Sequence, residues 1–186
     1  MLKNTSLVLE FSVCVANTSL LEDMLLRNEI DIGLVEGEIT ESELISKDVM
    51  RDELVLVCGR NDMFFGRSSV RTEELAGRNL ILREIGSGTR AIFEHQMKTA
   101  GYPYSVRWSC YNSEAIRNAV SAGHGISVIS KRLIEDDVNQ GRLWACTIDD
   151  LDLTRFFSVV YHRDKEISEE MTQFIECCSR YEHSKH

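Results

Sequence analysis

The chain has 186 residues, a hydrophobic fraction of 43%, a charged fraction of 27% and a formal net charge of −9. That length supports one large domain or two small lobes around a real core, and the composition is that of a soluble globular protein. No apolar run approaches the roughly 20 residues of a membrane span, and so acidic a surface repels phosphate backbones, which makes this chain by itself a poor nucleic-acid binder.

The start, Met1 to Ser6, carries no secretory h-region, so a cytoplasmic protein is expected. The cysteines are Cys14, Cys58, Cys110, Cys146, Cys177 and Cys178, and none pairs as Cys-x-x-Cys. Most lie in apolar or strand-like stretches, where a reduced thiol acts as a small hydrophobe. No metal, cofactor or redox role is expected of them.

Leu7 to Val15 is a β-rich run. Asn17-Thr18 can cap a helix whose apolar residues Leu20, Leu21, Met24 and Leu25 follow helical spacing, and Asn28 ends it. Ile30 to Val35 and Leu54 to Cys58 read as buried strands, Thr72 as the cap of a short helix through Leu75, and Leu80 to Leu82 as a further strand. This alternation predicts a mostly parallel sheet. Beyond Gly86, a helix carries Phe93, Met97 and Ala100 and stops at Gly101. Tyr104 to Cys110 alternates like a strand, and Asn112 or Ser113 can cap a helix striped by Ala115, Ile116, Ala119 and Val120. Gly123-His124-Gly125 turns into the strand Ile126 to Ile129, Ser130 caps a helix with Leu133 and Ile134, and Trp144 to Ile148 is a weaker strand. Phe156 to Tyr161 is a strand, and Ser168 caps a last helix with Met171, Phe174, Ile175 and Cys178 on one face.

The most informative stretch is Arg83-Glu84-Ile85-Gly86-Ser87-Gly88-Thr89-Arg90. It reads as a strand end, a glycine-rich turn and a helix start. Such a turn offers hydroxyls, free backbone N–H groups and an arginine to a small anion. An ordinary capped helix start with a surface arginine fits the same residues, and both readings stand at this point. His124, between two glycines, can face a cleft or simply solvent. Asn112-Ser113-Glu114 can be a second anion-friendly helix end or a plain cap. Catalysis has little support: there is no Gly-x-Ser-x-Gly elbow, no His-Glu-x-x-His, no Walker A loop and no dinucleotide fingerprint. Glu41, Glu43, Asp149 and Asp150 read as solvated surface. The expectation is a sensor of a small molecule, not an enzyme.

Several segments in order resemble the effector-binding (regulatory) domain of LysR-type bacterial transcription regulators. They are Leu26 to Gly37, Asp52 to Val57, Leu82-Arg83-Glu84 with Gly86 to Arg90, Asn112 to Ile116, and Ala122 to Ser130. The resemblance covers nearly the whole chain. It implies an α/β fold of two Rossmann-like lobes, like type 2 periplasmic solute-binding proteins, joined by two crossover strands. Lobe I would take residues 1–83 and 155–186, and lobe II residues 84–154. A small anionic effector would bind between them, at Ser87, Gly88, Thr89 and Arg90, with Asn112 and His124 as further contacts. The resemblance also implies a homodimer or tetramer, and DNA bound only through a winged helix-turn-helix that has no counterpart here. The family's domain opens with a strand and helix that have no counterpart before Leu7, so an open sheet edge is expected, covered by rearrangement or by another copy. A stand-alone solute-binding protein of the same fold is the alternative.

Overall fold

The computed structural model describes residues 12–181. In chain order the elements are α1 (Thr18–Leu26), β1 (Gly33–Glu36), β2 (Leu44–Gly59), β3 (Ser69–Val70), a 3-10 turn (Thr72–Leu75), β4 (Leu80–Arg83), α2 (Gly88–Ala100), β5 (Val106–Cys110), α3 (Ser113–Ser121), β6 (Ser127–Ser130), a second 3-10 turn (Lys131–Leu133), α4 (Glu135–Asn139), β7 (Leu143–Ile148), β8 (Thr154–His162) and α5 (Glu169–Tyr181). Most of the expected run Leu7 to Val15 lies outside the described residues. Its last residues, 12–15, form no strand, and Val13 and Val15 are exposed.

One strand organises the rest. β2 runs for 16 residues and belongs to two sheets. Its first part, Leu44 to Glu53, lies antiparallel to β8, which lies antiparallel to β1 on its other side. Its second part, from Leu54 on, sits between β6 and β7, antiparallel to both. β7 continues to β3, and β4 pairs with β5 in parallel. A parallel bridge from Leu80 to Ile126 ties β4 to β6, with Ile81 N donating to Ile126 O at 2.9 Å. The second unit therefore reads β5-β4-β6-β2-β7-β3 across. Among the described residues, β1 has a strand on one side only.

Two expectations are corrected here. The sheet is mixed, because its long strands cross between units and lie antiparallel to their neighbours. The chain leaves the first unit near residues 52–54, not at 83/84. β4 is a buried strand of the second unit, clamped between β5 and β6. A βαβ rhythm reports elements in order but not which sheet each one joins.

Strand alternation builds the core. Leu54, Leu56 and Cys58 face one side and pack with Phe93 and Met97 of α2. Val55 and Val57 face the other and pack with Ile116, Ala119 and Val120 of α3. In the first unit, Leu21 and Leu25 of α1 cover Val35, Leu44 and Val160, while Ile175 of α5 covers Val49 and Val159. α1 starts as expected, Asn17 accepting from Leu20 N at 3.0 Å, and it ends at Asn28, whose φ is 55°. The first 3-10 turn differs: Arg71, not Thr72, holds its N-cap position, and the Thr72 N–H donates to Asp150 Oδ1 at 2.9 Å.

Glu22 on α1 is buried, and its carboxylate accepts from Thr40 N at 3.0 Å. Burial pushes its pKa above the ordinary glutamate value, against the Thr40 hydrogen bond, and Glu41 and Asp23 push the same way as burial. A raised folded pKa means that the contribution of Glu22 to stability is greatest in acid and is lost as pH rises through that value. Glu22→Gln keeps the acceptor and removes the loss. It is expected to raise Tm by about 2 °C at pH 7 and to change it little at pH 4, read by thermal unfolding at both.

Burial also pushes the thiols of Cys58 and Cys146 up, to about 12 and about 11. At pH 8, Ellman's reagent should modify the exposed Cys14 and Cys177 promptly, and reach Cys58 and Cys146 only after unfolding.

Candidate functional site

β4, β5 and β6 run the same way, so their carboxyl ends share one edge. Ser130, at the end of β6, pairs with Leu54, the residue at which β2 enters the unit. That edge therefore faces the first unit. The turn after β4 delivers α2 there. Gly86 takes φ 91°, a conformation that suits glycine, and Ser87 follows in extended form at the N-cap position. Neither hydroxyl of the turn caps α2: Ser87 has no side-chain cap hydrogen bond, and the Thr89 hydroxyl turns elsewhere. Ser87 is 2% exposed, and among the described residues its Oγ has no hydrogen-bond partner. A buried hydroxyl without a partner carries a desolvation penalty of about 1–3 kcal/mol.

The two units touch at this turn. The first turn of α1 reaches across, Ser19 N donating to Gly86 O at 3.2 Å and Ser19 Oγ at 3.4 Å. Thr18 Oγ1 donates to Glu36 O at 3.1 Å. Gly88 lies so close to β1 that an added Cβ would stand 1.9 Å from Glu36 O. Glu84, beside them, is buried. Its burial pushes the carboxyl pKa up, but hydrogen bonds and charge from Arg83, together with Asn17, hold it below the ordinary glutamate value.

Arg155 lies at the centre of the junction, its side chain 2% exposed. Its Nε donates to Asp52 Oδ2 at 2.7 Å, its Nη1 to Thr89 Oγ1 at 2.9 Å, and its Nη2 lies 2.8 Å from Glu36 Oε2. The Thr89 hydroxyl in turn donates to Glu36 Oε1 at 2.9 Å. Asp52 Oδ1 accepts from Ser130 Oγ at 2.8 Å, which is where the Ser130 hydroxyl goes instead of capping a helix. The guanidinium carbon sits 5.2 Å from the centre of the Phe157 ring. The network joins β1, β2, β8, the end of β6 and the first turn of α2.

The expected site residues divide accordingly. Ser87, Gly88 and Thr89 stand together at the junction. Arg90 is drawn back along its own helix, Nε donating to Glu94 Oε1 at 2.8 Å and Nη1 to Arg83 O at 3.2 Å and Ser109 Oγ at 3.3 Å. Asn112 lies on the same strand edge but exposed, capping α3 by accepting from Ala115 N at 2.7 Å. His124 is at the opposite edge, ahead of β6, its ring 4.9 Å from that of Trp108. The sequence reading missed Glu36, Asp52 and Arg155 as a working set. Their one local signal is charge inside strands: Arg155 is buried while its neighbour Phe156 is 43% exposed.

Residues 8–182 match the family model described as the LysR substrate binding domain. The chain belongs to this family. A LysR-family relative, the uncharacterized HTH-type transcriptional regulator YeiE of Escherichia coli, is 34% identical over 170 residues, covering 91% of this chain and 58% of that protein. The HTH-type transcriptional regulator CysL of Bacillus subtilis is 26% identical over 82% of this chain and 51% of its own length. The chain thus spans little more than half of these curated relatives. Among solved structures, the regulatory domain of CcmR from Synechocystis PCC6803, in complex with 2-PG, aligns with a TM-score of 0.84 at 25% identity, covering 95% of this chain and 85% of that one. The two crossing strands and paired α/β units seen here are this LysR regulatory architecture. Among the described residues, no cluster of His, Cys, Asp or Glu is fit to hold a metal, and no helix is long and apolar enough to cross a membrane.

Gly88→Ala should force the first turn of α2 away from β1. The expected result is a loss of about 1–3 kcal/mol in urea unfolding and faster amide exchange at Ser19, whose N–H reaches Gly86 across the junction.

Proposed function

We propose that this chain is the effector-sensing domain of a LysR-type transcription regulator. It takes a small anion where its two units meet and passes the change to DNA-binding domains outside this chain. The carrying observation is Ser87: a buried hydroxyl without a partner among the described residues, at the N-terminus of a 13-residue helix. The first turn of such a helix has backbone N–H groups without helical partners and a partial positive charge, and both favour an anion. α1 brings a second helix start from the other unit to the same turn.

Ser87, Gly88 and Thr89 form the second-unit wall of this site. Arg90 adds its charge from behind, fixed by Glu94, and Asn112 borders the site along the strand edge. His124 stands outside it. The junction described here is closed, with the Gly86 carbonyl accepting from the first turn of α1. An anion that replaces that carbonyl and engages Ser87 favours a different spacing of the units. It shifts the balance only by its difference in affinity for the two arrangements. Family likeness further supports work in the cytoplasm as a dimer or tetramer, with no catalytic step.

Titration calorimetry against a panel of small anions, including sulfate, phosphate and 2-PG, tests this. Ser87→Ala is expected to weaken the tightest binder about tenfold, the effect of losing one hydrogen bond to a charged group. An unchanged affinity in Ser87→Ala would overturn the assignment.

A further inference from the structure

Glu36 reaches from the end of β1 in the first unit to the start of α2 in the second. Its Oε1 accepts from the Thr89 hydroxyl at 2.9 Å, and its Oε2 lies 2.8 Å from Arg155 Nη2. Thr89 is the second residue of α2, two positions after Ser87, whose buried hydroxyl has no partner among the described residues. The first turn of a helix favours negative charge. Here the protein itself supplies that charge.

The charges around Glu36 are already matched. Asp52 lies 2.7 Å from Arg155 Nε and 3.8 Å from Arg132 Nε, so two cations face two carboxylates, Asp52 and Glu36. Arg83 is paired with Glu84, and Arg90 with Glu94. An anion added to this set brings a third negative charge to two cations, where burial makes an uncompensated charge costly. An anion that replaces Glu36 leaves the balance as it was. Of the two carboxylates, Glu36 is the one placed to leave. The Asp52 side chain is fully buried and also accepts from Ser130 Oγ at 2.8 Å. The Glu36 side chain is 23% exposed, and rotation about its two methylenes turns the carboxylate into water without moving β1. Its backbone carbonyl stays with Thr18 Oγ1 at 3.1 Å.

We propose that Glu36 is a built-in competitor of the effector. Its carboxylate holds the anion position on Thr89 and Arg155, and the anionic group of the effector takes that position as Glu36 turns out to solvent. This rests on the reading of the junction as the sensing site and adds what sets the affinity there. The apparent affinity is the intrinsic one reduced by the fraction of molecules in which Glu36 has left. The position also selects its occupant: a carboxylate, sulfate or phosphate offers two oxygens to the hydroxyl and the guanidinium, and a halide does not.

The probe is sulfate, titrated by calorimetry at constant ionic strength set with chloride. The proteins are the unaltered chain, Glu36→Gln, Glu38→Gln, Ser87→Ala and the double variant E36Q/S87A. Glu36→Gln removes the competing charge and should tighten sulfate binding about tenfold while lowering Tm by about 2 °C or more. Glu38 is exposed, and Glu38→Gln, which removes the same charge two residues along, should do neither. A merely structural role for Glu36 lowers Tm without tightening binding. In the unaltered chain, saturating sulfate should move the assigned carboxyl carbon signal of Glu36 toward that of exposed glutamates, a measurement that needs no variant to fold. Equal or weaker binding in Glu36→Gln, an unmoved Glu36 signal, or no sulfate binding by any of these proteins overturns the proposal. Binding that Ser87→Ala weakens but Glu36→Gln does not tighten removes this inference and leaves the sensing reading intact. Tightening that persists in the double variant keeps the competitor and removes Ser87 from the site.

Discussion

A buried guanidinium must be surrounded by acceptors, and Arg155 obtains them from three separate parts of the chain. Asp52 comes from the strand that passes between units, Glu36 from the end of β1, and Thr89 from the first turn of α2. The requirement runs both ways. The Asp52 side chain is fully buried, and a carboxylate so placed needs a cation and a hydrogen-bond donor, which Arg155 and Ser130 provide. Removing one partner of such a pair leaves an uncompensated charge, at a cost of about 3–5 kcal/mol. The spacing of the two units is thus held by groups that cannot separate without replacement partners. The closeness of Gly88 to β1 follows from the same constraint.

This arrangement explains why one residue of the glycine-rich turn is satisfied and another is not. Thr89 both donates and accepts within the Arg155 network, so its hydroxyl holds the units together. Ser87, two residues earlier, is buried by the same closure but gains no partner among the described residues. Closure is stabilised by one set of polar contacts and opposed by another. An element balanced in this way is what a ligand can bias, because a modest difference in affinity between two arrangements is enough to shift their populations.

Much of the local structure was legible in advance. The Asn17 and Asn112 caps, the apolar faces of α1, α2, α3 and α5, and the stop at Gly101 all depend on neighbours within a few residues, and all are found. The order of motifs from Leu26 to Ser130 carried the family. The long β2 strand was read as only its second part, because Leu44 to Glu53 mixes exposed and charged residues that make sense only beside β8. Arg90 was expected to face a ligand, but Glu94 lies one helical turn away and draws it back. His124 shares its glycine-rich character with the junction turn, yet the direction of β6 puts it at the other end of the sheet.

Sequence by itself determined the helices, most strands and the family, since periodicity, capping and motif order are local properties. Tertiary structure alone decided where the chain passes from one unit to the other, and that Glu36, Asp52 and Arg155 meet. It also decided which hydroxyl of the turn is engaged. These depend on strands that pair across 100 or so residues, as Asp52 does with Arg155. No spacing along the chain records which buried charge will find which partner.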